Sequence, residues 1–163
     1  MKQADTQPQK LTKKEGHNMN QFKNYQELMN LNKQEINNFP LFYAFTDQHF
    51  EEGMKKLGVE KEEDICRVTS CTFVRKADYT DFINLIEKQQ ERKREAFNND
   101  EFLKGALMYE LINYEYLYTY DEEPALEALG FSLQDLEANE RLKKLLKEAT
   151  QKLEEEDDEE DEW

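Results

Sequence analysis

Apolar side chains recur at helical spacing through Phe22, Tyr25, Leu28, Met29 and Ile36, which predicts an amphipathic helix over 22–37. Asn37-Asn38 closes it, and Pro40 restricts Phe39 to extended geometry. The next run, Leu41-Phe42-Tyr43-Ala44-Phe45, is short, apolar and aromatic, as a buried strand is. Thr46 or Asp47 can cap a helix over about 48–57 with Phe50, Met54 and Leu57 on its inner face. Gly58 suits a left-handed helix terminus, with Val59 folding back onto the last turn.

A charged turn over 60–64 leads into two β-rich runs. Ile65-Cys66-Arg67-Val68 and Thr72-Phe73-Val74-Arg75 predict a hairpin, although its turn lacks Asn-Gly. Asp78 is placed to cap a long helix over 79–97, with Phe82, Ile83, Leu85 and Ile86 inward. Its second half, 87–95, is almost wholly polar and is expected to project into water. Asn98-Asn99-Asp100 ends it and caps the next helix, 101 to about 116, which is apolar around much of its circumference and is the expected central helix. Gly105 within it costs about 1 kcal/mol relative to Ala, a cost that close approach of another element would explain.

Asp121 is expected to cap a short helix opened by Glu122, Glu123 and Pro124, and Gly130-Phe131 repeats the Gly58-Val59 stop signal. Ser132 starts a turn through Leu136, and Leu142, Leu145, Leu146 and Leu153 carry a last helix. The predicted class is α+β, with five to six helices and a small antiparallel sheet of two to three short strands.

Charge refines this picture. The chain has 163 residues and a net charge of −15. Lys2, Lys10, Lys13 and Lys14 outweigh Asp5 and Glu15 in residues 1–20, whereas 154–162 is an unbroken run of carboxylates. Self-repulsion and missing apolar surface predict disorder for both ends. The expected organisation is a disordered arm over 1–20, a single α+β domain over 21–153 and a disordered acidic tail over 154–163. No apolar run approaches the ~18 residues of a membrane span, and the start lacks the apolar core of a secretory signal. The expectation is a cytoplasmic protein that binds neither membrane nor, directly, nucleic acid.

Groups able to carry chemistry are few. Cys66 and Cys71 face each other across the predicted hairpin and read as small buried hydrophobes. His17 and His49 share no zinc-type spacing with them. An enzyme acting through His49 or a Cys is an alternative, but His49 has only Glu52 as a nearby carboxylate and no nucleophile. No nucleophile elbow, Walker loop, HExxH or EF-hand pattern occurs. The expectation is a non-enzymatic protein without metal or cofactor.

Residues 109–123 stand apart, with five Tyr and five carboxylates. The rings can be core with hydroxyls reaching the surface, or they can form a recognition face for a basic partner. On the second reading the partner-binding residues are Tyr109, Glu110, Tyr114, Glu115, Tyr116, Tyr118, Asp121, Glu122 and Glu123. Their carboxylates would steer association and compete for a nucleic-acid channel. The basic residues Arg67, Arg75, Lys76, Arg92, Lys93 and Arg94 are diluted by neighbouring acids, so local salt bridges explain them.

One ordered set of blocks carries a resemblance. Phe42-Tyr43-Ala44-Phe45, Phe50-Glu51-Glu52-Gly53, Phe73-Val74-Arg75-Lys76, Tyr109-Glu110-Leu111, Glu115-Tyr116, Tyr120-Asp121 and Ala125-Leu126-Glu127-Ala128-Leu129-Gly130 follow one another over about 39–136. This resembles a family of small uncharacterised proteins of phages and mobile elements in Firmicutes and related bacteria. The family pattern has a Gly pair before the Phe73 position and a His at the Tyr114 position, where this chain has Cys71-Thr72 and Tyr114. The resemblance implies no established reaction. It implies a viral or mobile-element origin and proteins that bind host machinery in a bacterial cytoplasm.

The expected function is therefore a phage-type binding protein that inhibits or modulates a host nucleic-acid-handling complex, with a CRISPR effector among the candidate partners. The alternative is a phage accessory or structural protein whose acidic tail serves solubility.

Overall fold

A computed structural model describes residues 22–161. The expected arm over 1–20 lies outside the described residues. In order the elements are α1 (Tyr25–Asn38), β1 (Leu41–Tyr43), α2 (Asp47–Lys56), β2 (Ile65–Arg67), β3 (Thr72–Arg75), α3 (Tyr79–Ala96), α4 (Asp100–Asn113), α5 (Tyr116–Thr119), α6 (Glu123–Leu129), α7 (Leu133–Ala138) and α8 (Glu140–Asp161). The α+β class holds, with eight α-helices among the described residues rather than five or six. The excess arises where the expected central helix breaks at Tyr114–Glu115 and restarts as α5, and where Ser132 and Asp135 form a reciprocal capping box that starts α7 separately.

Several termini follow their local chemistry. Thr46 Oγ1 accepts from the His49 N–H at 3.2 Å, and Asn99 Oδ1 accepts from the Phe102 N–H at 2.9 Å. Gly58 and Gly130 adopt left-handed φ of 69° and 87°, and the N–H groups of Val59 and Phe131 donate back to Met54 and Leu126 at 2.9 Å. Asp78 does not cap α3, because its Oδ2 instead accepts from Arg75 Nε at 2.6 Å.

The three strands form an antiparallel sheet in the order β1-β3-β2. Its register places Phe42 opposite Phe73 and Leu41 opposite Val74, so alternate pairs serve opposite faces. On one face Phe42 stacks on Phe73 at 5.3 Å, and both meet Phe50 of α2. On the other, Leu41 and Val74 pack with Phe82 of α3. The larger core is helical. Leu103, Ala106, Leu107 and Leu111 of α4 are buried among Leu28, Leu126, Leu142, Leu145 and Leu146, so α4 is the central helix as expected.

Two expectations about polar segments are corrected. The second half of α3 does not project into water. Gln89 and Arg92 are buried against α1, where Arg92 Nη2 donates to Glu35 Oε1 at 2.8 Å and Arg92 Nη1 donates to Asn32 Oδ1 at 2.7 Å. A short polar repeat conceals such a pair, because only the facing helix supplies its partner. The acidic run is likewise not a disordered tail where it is described, since α8 continues through Asp161. The buried stripe ending at Leu153 establishes the helix, extension then adds one hydrogen bond per residue, and Glu is a good helix former.

Candidate partner-binding site

The Tyr-rich segment begins in the core and ends outside it. Tyr109 is half-buried, with its ring edge-on to Tyr25 at 5.5 Å. Glu110 is 4% exposed; it accepts from the Tyr25 hydroxyl at 2.8 Å and from Asn113 Nδ2 at 3.1 Å. Tyr116 is 6% exposed, and its hydroxyl donates to Glu154 Oε1 at 2.9 Å. Glu110 and Tyr116 are thus core groups, which removes both from the expected recognition face. Their burial follows helical phase, because each points from its helix toward neighbours contributed by α1 and α8.

The chain around them turns outward. Glu115, between α4 and α5, has φ 56°, ψ 39°, and Tyr120, directly after α5, has φ 51°, ψ 27°. Both positions are left-handed, a conformation that costs a non-glycine residue about 1–2 kcal/mol. Hydrogen bonds hold the bends: the Tyr114 N–H donates to the Glu110 carbonyl at 2.9 Å, and the Tyr120 N–H to the Tyr116 carbonyl at 2.7 Å. The Tyr120 ring lies edge-on to buried Tyr116 at 5.7 Å, which anchors the corner.

Tyr118 is 87% exposed and Tyr120 67% exposed, with Ile112 and Tyr114 also exposed nearby in sequence. Glu115, Asp121 and Glu123 are exposed acids on the same segment. Asp121 Oδ1 accepts from the Glu123 N–H at 3.0 Å at the start of α6. Glu122 is half-buried, and its carboxyl is pushed up by burial, then by the charges of Asp121 and Glu154. Tyr120, outside the partner-binding set expected from sequence, belongs with the exposed group, because the bend at its own position turns it outward while one ring edge stays against Tyr116.

The other candidate groups are dispersed. His49 is exposed beside Phe45 at the start of α2, and the nearby Glu52 carboxylate accepts from Gln48 Nε2 at 2.9 Å. Cys66 and Cys71 are free and half-buried; Cys66 lies opposite Val74 in the sheet. Among the described residues no three His, Cys, Asp or Glu side chains gather as a metal site, and no helix is long and apolar enough to cross a membrane. Of the basic side chains, Arg75 pairs with Asp78 and Arg94 with Glu91, both at 2.6 Å, and Arg67 lies over the Phe73 ring at 5.3 Å, whereas Arg92 finds its partner, Glu35, on another helix.

These features define an acidic α+β protein with a helical core, a small covered sheet and an exposed tyrosine corner. The chain belongs to DUF7659, a family of unknown function, whose model matches residues 24–152. That stretch starts at the cap of α1 and ends within α8. No curated protein and no solved structure matches the chain.

Proposed function

We propose that this protein is a non-catalytic binding protein that uses its tyrosine corner to engage a basic protein surface. The observation that carries this reading is Tyr118, 87% exposed on a four-residue helix bounded by left-handed Glu115 and Tyr120. Exposed rings gain when a partner covers them, and the left-handed backbone at Glu115 and Tyr120, held by the surrounding fold, presents Tyr118 outward. Tyr rings supply contact area at low entropy cost, while Glu115, Asp121 and Glu123 favour a cationic surface and accelerate encounter. The binding residues reduce to Tyr114, Glu115, Tyr118, Tyr120, Asp121 and Glu123, with Tyr109 and Glu122 in supporting positions.

The finer proposal is a phage-type protein that inhibits or modulates a bacterial nucleic-acid-handling complex, a CRISPR effector among them. Its support is the net charge of −15 together with the block resemblance to phage and mobile-element proteins. A basic nucleic-acid channel is the surface that such a corner complements best.

The test compares wild type with Tyr118→Ala combined with Glu115→Lys and Glu123→Lys in pull-downs from bacterial lysate at low and high salt. The expected result is a nucleic-acid-handling protein retained at low salt, weakened by high salt and lost with the triple variant. Retention of no such protein at low salt, or equal retention by the variant, sinks the proposal.

A further inference from the structure

The first turns of α1 and α4 and the last turns of α3 border a cavity of about 550 Å³. That lies within the roughly 300–1,000 Å³ range of small-molecule sites. Its apolar lining is aromatic, from Phe22, Tyr25, Phe102 and Tyr109. Phe22 stands edge-on to Phe102 at 5.7 Å, and Tyr25 edge-on to Tyr109 at 5.5 Å. Gly105 also borders it, and a Cβ added there would meet nothing within 4 Å. Close packing therefore does not explain this glycine, although glycine is a poor residue for a helix interior. Gly105 is exposed, so the open space beside it lies at the edge of the cavity.

Arg92 adds a polar wall. Its Nη1 and Nη2 are committed to Asn32 and Glu35, but its buried Nε has no hydrogen-bond partner. A buried guanidinium N–H without an acceptor is an unmet demand that a ligand atom can satisfy once Arg92 adjusts toward it. The charged side chains of the lining balance, so an ion of either sign gains no net attraction there to offset its desolvation. Lys23 and Arg92 oppose a cation, while Glu95 and Glu101 on the same lining oppose an anion.

We propose that this cavity binds an uncharged, planar aromatic molecule whose ring lies among Phe22, Tyr25, Phe102 and Tyr109 and whose acceptor atom receives the Arg92 Nε hydrogen. This inference stands apart from the partner-binding reading, and neither depends on the other.

Quinoline, nicotinamide and adenine serve as neutral probes, with benzoate and phenyltrimethylammonium as charged controls and naphthalene as a ring without an acceptor. Amide and arginine Nε–H resonances of the full chain are followed by NMR during titration. At least one neutral probe is expected to shift the Gly105 amide and the Arg92 Nε–H saturably, with millimolar affinity. Both charged controls and naphthalene are expected to bind at least about tenfold more weakly. Gly105→Leu fills the cavity and is expected to weaken the best probe by more than about tenfold without lowering the unfolding midpoint; Gly105→Met provides a more flexible filler if Leu does not fold. The proposal is overturned if no neutral probe shifts Gly105, if naphthalene matches quinoline, or if the filled variant binds unchanged. Occupation of the cavity by residues 1–21 would exclude every probe from the full chain and would overturn it too.

Discussion

The Tyr25 hydroxyl donates to Glu110 Oε1 at 2.8 Å, tying the first turn of α1 to the last turn of α4 across 85 residues of sequence. Both side chains are buried. Asn113 Nδ2 supplies a second hydrogen bond to the other carboxylate oxygen, so the charge is held on two sides. Tyr25→Phe is expected to lower stability by about 1.5–3 kcal/mol, the worth of a hydrogen bond to a charged group. Urea unfolding should show a lower midpoint with an unchanged slope, and partner binding through Tyr118 should be unaffected.

Alkaline pH should loosen the helical core. Burial raises the Tyr116 hydroxyl from 10.0 to about 12, with the Glu154 hydrogen bond and charge adding to the effect. Burial followed by Glu110 also raises Tyr25. Above the ordinary tyrosine value the unfolded chain releases protons that the native state keeps, so stability is full below about pH 10 and falls as pH rises toward 12. Tyr116→Phe should flatten part of that decline in unfolding measurements between pH 9 and roughly 11.

Acid should act on the other buried link. The Arg92 hydrogen bond holds the Glu35 carboxyl below its ordinary 4.5, outweighing the opposing effect of burial. The contribution is present above that value and is lost as pH falls through the lowered one. Glu35→Ala leaves the Arg92 guanidinium buried without its counter-charge and is expected to cost about 3 kcal/mol at neutral pH. Its stability should also fall less steeply below pH 5, as urea midpoints measured across that range would reveal.

Two glycines within helices should respond in opposite directions. A Cβ at Gly53 would collide with the Phe42 ring, which is itself fixed against Phe50 and Phe73. Gly53→Ala is expected to cost about 1–3 kcal/mol through overpacking. Gly105→Ala meets open space and should add about 1 kcal/mol of helix stability. Thermal midpoints of the two variants decide the matter.

Strain at the corner is also measurable. Glu115→Gly relieves a left-handed non-glycine backbone and should raise stability by about 1 kcal/mol. Glu115→Ala retains the backbone penalty and should not. Comparing the two by urea unfolding separates backbone strain from the lost charge.

Element types and several ends were readable because their causes are local. Thr46, Asn99, Gly58 and Gly130 act on neighbours within a few residues, and the apolar stripe of α4 marks it as central without reference to any other element. The α4–α5 break leaves no local mark in the sequence, because the left-handed residue is Glu115 rather than a glycine. Arg92 looked like a solvated charge because Glu35 and Asn32 lie on another helix.

The sequence alone determined the α+β class, most helix and strand positions, the acidity of the chain and the unusual density of tyrosines over 109–123, since composition and short-range periodicity encode all of these. Only the tertiary structure decided which tyrosines were core and which were surface. Tyr116 is covered where α8 passes it, and Tyr118 is left bare two residues later. The same side chain serves either role, and its exposure depends on whether a segment distant in sequence arrives to bury it.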